Sequence, residues 1–363
     1  MLGLLKTILG TRGIVRAPFG EPVSEGGFSE PETAKAVQPD EALRNAKARK
    51  HHPLGVPLDD IALPFAATQG LGAGFSGDIL VLTNDHFRTT VRAVPASGPE
   101  GAAAGIEVRT NMDELVRRLH EAHPNALLDS WALGTLNAYA ATGAMVEEDG
   151  HFYVVSRLGF TPDTRDWTDV VLPLASEAAR FSAETVIGSI TGDRLPEAYS
   201  IDGSAWGRPD FERLASEVPE GASARFLKDG LVVSVPLGAR SGPGHAILDR
   251  IAPDAATVAL TSGTPNPYLG AGLLVKLDLP VRFASEKLLR EAAARLNLLE
   301  LRGESSAHHF GAWMTKNGRT LSYTSFVVNS LKGNGSIDRS LLLGAVRRAR
   351  WADGILKGTV ARA

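Results

Sequence analysis

The chain has 363 residues, 44% hydrophobic and 22% charged, with a formal net charge of −3, a composition that builds buried cores and suffices for two or three domains. It contains no cysteine, which excludes disulfides, thiolate zinc sites and thiol nucleophiles. The near-neutral balance and an aromatic share of 6% argue against duplex or single-strand recognition, so no nucleic-acid partner is expected.

Residues 1–17 read MLGLLKTILGTRGIVRA. A secretory signal places positive charge before an unbroken apolar run. Here Lys6 interrupts the run and Arg12 and Arg16 follow it. A spanning helix needs about twenty apolar residues, and no window supplies them. The segment is therefore expected neither to span a membrane nor to direct export. Leu2, Leu4, Leu5, Ile8 and Leu9 are the candidate docking residues. They suit a partner's groove or, with the basic residues near headgroups, a membrane surface; packing on the protein's own core stays open as a third alternative. Residues 18–52 are rich in Pro, Gly, Glu and Ser and read as a flexible linker, which favours docking at a distance. A cytoplasmic protein, peripheral at the membrane if the leader docks there, is the expected location.

A first α+β domain is expected over 53–192. Its GAGFSG at 72–77 has the G-x-G-x-x-G spacing. That fingerprint needs a preceding strand and a helix opening inside it; here strand-like DILVL follows, so a turn or mobile loop is expected instead. DILVLTN and FRTTVRAV suit a hairpin at 78–94. VRTNMDELVRRLHEAHPNAL from Val108 has helical apolar spacing, with Asn111 as its N-cap. EEDGHFYVVSRLGF at 147–160 carries the Asp-Gly of a tight hairpin. A helix is expected over 167–190. Residues 193–221 read as an inter-domain segment with one short helix, in which Trp206 would fix the two halves together.

A second domain is expected over 222–363, and it repeats this grammar. ATVALTSG and AGLLVKLDLP suit a hairpin at 256–280. VRFASEKLLREAAARLNLLEL from Val281 suits a helix capped by Ser285. TKNGRTLSYTSFVVN at 315–329 suits a second hairpin, followed by a closing helix at 338–358. The two helices align on Val108 with Val281 and on Leu115 with Leu288. The fold class is thus α+β: two tandem domains, each an antiparallel sheet covered by helices, behind a flexible N-terminal extension.

VRFASEKLLREAAARLN, GAWMTKNGRTLSYTSFVVN and the closing helix from Asp338 resemble, in element order, the type III secretion chaperone-like fold, including the YbjN-type sensory regulators. The resemblance implies binding of other polypeptides, without cofactor or catalytic residues. Abundant Ala, Arg and Gly match GC-rich bacterial coding. The expectation is a non-enzymatic adaptor or chaperone-like subunit of a larger bacterial assembly, with other protein subunits as partners. Arg347, Arg348 and Arg350 on the last helix form a candidate patch for an anionic partner. The alternative is a metal-assisted hydrolase using His120, His123, His245, His308 and His309.

Overall fold

Alternating burial organises both halves of the chain. The computed structural model describes residues 72–76, 79–83, 88–94, 105–122, 143–159, 204–237, 255–263, 271–281, 283, 285–302, 311–316, 320–329, 332–333 and 335–360. The leader with Leu2, Leu4, Leu5, Ile8 and Leu9, the linker and the helix expected over 167–190 lie outside these residues.

The first half contains β1 (Gly72–Ser76), β2 (Ile79–Thr83), β3 (Arg88–Val94), β4 (Gly105–Asn111), α1 (Asp113–Ala122), β5 (Ala144–Glu148) and β6 (His151–Gly159). The second contains α2 (Arg208–Ser216), β7 (Ser223–Leu227), β8 (Gly230–Pro236), β9 (Ala255–Ser262), β10 (Gly272–Leu279), α3 (Glu286–Leu301), β11 (Ala312–Lys316), β12 (Thr320–Val328) and α4 (Gly335–Val360). Two antiparallel six-stranded sheets result, ordered β1-β2-β3-β4-β6-β5 and β11-β12-β10-β9-β8-β7. The α+β expectation holds at this level, but each half opens with a four-stranded meander rather than one hairpin. The glycine-rich run is no loop: Gly72–Ser76 is the edge strand β1, antiparallel to β2.

The two sheets have one topology and one register. In the first, the ladder row Phe75, Leu80, Val91, Val108, Ser156 crosses five strands. In the second, the matching row is Phe226, Leu231, Leu260, Val275, Ser325. Aromatic faces aromatic position, aliphatic faces aliphatic, and serine faces serine. The duplicated hairpins GAGFSGDILVLT and SARFLKDGLVVS share Ala, Phe, Asp, Leu and Val at the same spacing. The second copy folds this hairpin without the glycines, so the first copy's glycines answer to no pyrophosphate-binding turn.

The helix alignment on Leu115 and Leu288 does not survive. Leu115 is fully buried, whereas Leu288 is 46% exposed and Leu289 takes the core position. Only Met112 separates β4 from α1, but residues 280–285 separate β10 from α3. Matching the helix starts therefore throws the strands out of step. Leu289→Ala is expected to cost about 2–5 kcal/mol and Leu288→Ala less than about 0.5 in denaturant unfolding.

Local chemistry sets the element ends. Asp149 and Gly150 have φ of 55° and 79°, as the tight β5–β6 turn requires. The Ser285 hydroxyl accepts from the Leu288 amide and caps α3. Asn111 Oδ1 accepts from the Asp113 amide at 2.9 Å. One face of the second sheet packs under α2, α3 and α4. Trp206, Phe211 and Leu214 lie in that core, so Trp206 anchors the second sheet rather than the junction.

The halves meet along corresponding edges. β5 lies beside β11, and α3 crosses β5 and β6. Leu298 and Leu301 pack with Ala144, Val146, Tyr153, Val155 and Ala312. The Asn297 amide donates to Trp313 O at 3.0 Å and accepts from Trp313 N at 2.7 Å. It thereby satisfies the outward backbone groups of Trp313 on edge strand β11.

Candidate functional surface on the first sheet

Alternation gives each sheet two faces of different character. On the first sheet, Leu80, Val91, Ile106 and Val108 are buried on one face. The opposite face carries the row Ile79, Arg92, Glu107, Arg157 across β2, β3, β4 and β6. The same row of the second sheet is Gly230, Thr261, Leu274, Phe326. The charges are therefore peculiar to the first copy.

Glu107 is the hub of that row and is 3% exposed. Its Oε1 receives Arg92 Nε at 2.8 Å and Arg109 Nε at 3.0 Å. Arg109 Nη2 reaches Glu148 Oε2 at 2.6 Å, and its guanidinium lies 4.7 Å over the Tyr153 ring. Burial works against the Arg109 charge, but Glu107 and Glu148 outweigh it and raise its pKa. Arg157 is 1% exposed, and its Nη1 donates to the Leu301 carbonyl at 3.3 Å, at the end of α3. A cation at a helix C-terminus is favourably placed. Burial pushes the Arg157 pKa down and Arg92 adds to this, against the pull of Glu107.

A second polar group ties the β5–β6 turn to α1. Asp113 Oδ2 lies 2.8 Å from His151 Nδ1 and accepts from Asn111 Nδ2 at 2.9 Å; Oδ1 accepts from the Phe152 amide at 2.9 Å. Burial works to raise the Asp113 carboxyl, but these donors outweigh it and hold it below its ordinary 3.8. Glu114 is held by Arg117, with Arg118 assisting, and its pKa falls from 4.5 to about 2. Both carboxyls are more acidic when folded, so their stabilisation is complete above pH 4.5 and lost as pH falls toward 2. Hydrogen exchange of the α1 amides is expected to accelerate over that window. Asp113→Asn should remove part of the pH dependence and cost about 1 kcal/mol at pH 7.

Of the candidate patch on α4, Arg347 and Arg350 are exposed, but Arg348 is not a surface residue. Helical spacing turns its side chain inward, where Nε meets Glu300 Oε1 at 2.7 Å. The hydrolase reading drew on five histidines; His120 is exposed on the last turn of α1, and the other four lie outside the described residues. Among the described residues no three His, Asp or Glu side chains are placed to share a metal. Among them, too, no helix is long and apolar enough to cross a membrane. Sequence reasoning passed over Arg92, Glu107, Arg157 and His151. The available signal was Arg157 itself, a lone charge within the apolar strand FYVVSRLG.

Comparison with family models, with characterised proteins and with solved structures returned no match.

Proposed function

We propose that the protein is a non-enzymatic adaptor or chaperone-like subunit that binds other polypeptides in the cytoplasm. The observation that carries this reading is the pairing of two copies of one sheet, each with a partly accessible face. Ile79, Val81, Thr90 and Arg92 lie on the first such face, and Val232, Thr257, Ala259 and Leu274 on the second. Apolar and polar groups mix on both, as on surfaces that associate without being obligate interfaces. The resemblance of VRFASEKLLREAAARLN, GAWMTKNGRTLSYTSFVVN and the closing helix to the type III secretion chaperone-like fold supports the same class of function by analogy of fold alone. Residues 1–17 would bring the protein to its partner or to a membrane surface. Arg347 and Arg350 would contribute to an anionic partner's docking.

The test uses the full chain with a photo-crosslinking residue at position 79 or 232. Ile79→Glu and Val232→Glu, each combined with the crosslinker at the other position, report whether one partner spans both faces. A polypeptide captured at both positions, and lost when the opposite face is altered, is the expected result. No crosslinked polypeptide at either position overturns the proposal. Deleting residues 1–17 without changing the captured species removes the leader from it.

A further inference from the structure

The second copy sets two lysines where the first has an ion pair. In the first sheet Arg109 lies on the row Arg109, Val155, Ala144. Glu148, four residues beyond Ala144, reaches back to Arg109 Nη2 at 2.6 Å. The matching row of the second sheet is Lys276, Thr324, Ala312, and Lys316 stands four residues beyond Ala312. The cation is kept, and its carboxylate is replaced by a second cation. Glu107, the other carboxylate on Arg109, corresponds to Leu274.

Lys316 comes within hydrogen-bonding reach of Lys276, as Glu148 does of Arg109. An ammonium has donors and no acceptor, so two of them cannot bond until one nitrogen is neutral and offers its lone pair. Asp278 Oδ2 lies 3.4 Å from Lys276 Nζ, but Asp278 Oδ1 is shared with the buried Ser322 hydroxyl, which donates at 2.5 Å. Thr324 and Ala259 flank Lys276 on the neighbouring strands and bring no charge. Burial pushes the Lys276 amine below its ordinary range, and Lys316 adds to this against the pull of Asp278. The Lys276 side chain is still 24% exposed and Lys316 is exposed, so a small molecule can reach both.

We propose that Lys276 is a nucleophilic amine that captures small anionic aldehydes as imines, with the Lys316 ammonium pairing the aldehyde's anionic group. The neutral Nζ attacks the carbonyl carbon and gives a carbinolamine. Loss of water, formed from the carbonyl oxygen and the two amine protons, leaves the C=N bond. No oxidant or reductant is consumed. A second cation beside a lysine readies its amine for this chemistry. The pair lies on the face that carries Val232, Thr257 and Ala259, but the inference stands apart from the adaptor reading: loss of partner crosslinking leaves it untouched.

The test treats the full chain with glyoxylate or, as its uncharged counterpart, acetaldehyde. Cyanoborohydride traps each imine, and peptide mass spectrometry reads the rate at Lys276 relative to Lys287. At neutral pH Lys276 should react with glyoxylate about threefold or more faster than Lys287, whose side chain is 79% exposed. Accessibility alone would give the opposite order. Labelling of Lys276 should also reach half-maximum at a lower pH, and its relative rate should be higher with glyoxylate than with acetaldehyde. Lys316→Glu restores the pairing of the first copy, at an exposed position that tolerates it. It should move the half-maximum upward and erase the preference for glyoxylate; Lys316→Gln should do the same to a smaller extent. Labelling of Lys276 no faster than Lys287 overturns the proposal, as does a pH profile unchanged by Lys316→Glu. Equal relative rates with the two aldehydes overturn the role given to Lys316.

Discussion

Arg348→Met is expected to destabilise the protein by about 3–5 kcal/mol, because it strands a buried carboxylate. Glu300 is fully buried, and its Oε1 accepts from both Arg348 Nε and Trp313 Nε1 at 2.7 Å. The Arg348 guanidinium lies 4.0 Å over the Tyr323 ring. Burial alone would lower its pKa, but Glu300 outweighs this and raises it. The group links α3, α4, β11 and β12 and thus fixes the helix that also covers the junction. Glu300→Leu alone should cost a similar amount, since it leaves the guanidinium unpaired. The double variant Glu300→Leu with Arg348→Met should recover much of the loss, as buried ion pairs replaced by apolar groups commonly do. Urea unfolding of the four proteins reads the cycle. A cost below about 1 kcal/mol for Arg348→Met would contradict the pairing.

Gly311→Ala is expected to cost about 2–3 kcal/mol and Gly143→Ala about 1–2 kcal/mol. The two glycines hold corresponding places, each just ahead of the edge strand at the junction. At Gly311 φ is 151°, and an added Cβ would collide with the Thr324 carbonyl and lie 2.9 Å from the Tyr323 ring. At Gly143 it would lie 2.6 Å from Ser156 Oγ and 2.8 Å from the Val155 carbonyl. Both sites set the added Cβ against a backbone carbonyl, but at Gly143 the serine hydroxyl can rotate away and that carbonyl is farther off, whereas Gly311 also has positive φ and a packed ring beside it, which sets the order of the two losses. Thermal unfolding checks both, and equal midpoints for Gly311→Ala and the unaltered chain would remove the steric argument.

Much of the strand grammar was legible in the sequence. Period-two apolar patterns marked β2, β3, β9 and β10, and the Asp-Gly pair marked the β5–β6 turn. Helical spacing and Ser285 marked α3. The strand β1 was hidden because Gly72 and Gly74 weaken the pattern, and a glycine-rich edge strand imitates a loop. The hairpin β7–β8 went unread although its alternation is plain, because the turn-rich segment before it obscured the start of the second domain. Arg348 was misplaced for a different reason: adjacent arginines on a helix point in different directions, and composition alone does not say which one turns inward.

The sequence by itself determined the α+β class, the doubling of the grammar and the places of most strands, because these follow from hydrophobic period and turn chemistry within a few neighbouring residues. Tertiary structure decided what is paired with what. Cross-strand register placed Arg92, Glu107 and Arg157 in one row, and packing buried Glu300 with Arg348 while Asn297 bonded the outward backbone of Trp313 on β11. Those relations join residues far apart in the chain, and only the folded geometry brings them within reach of one another.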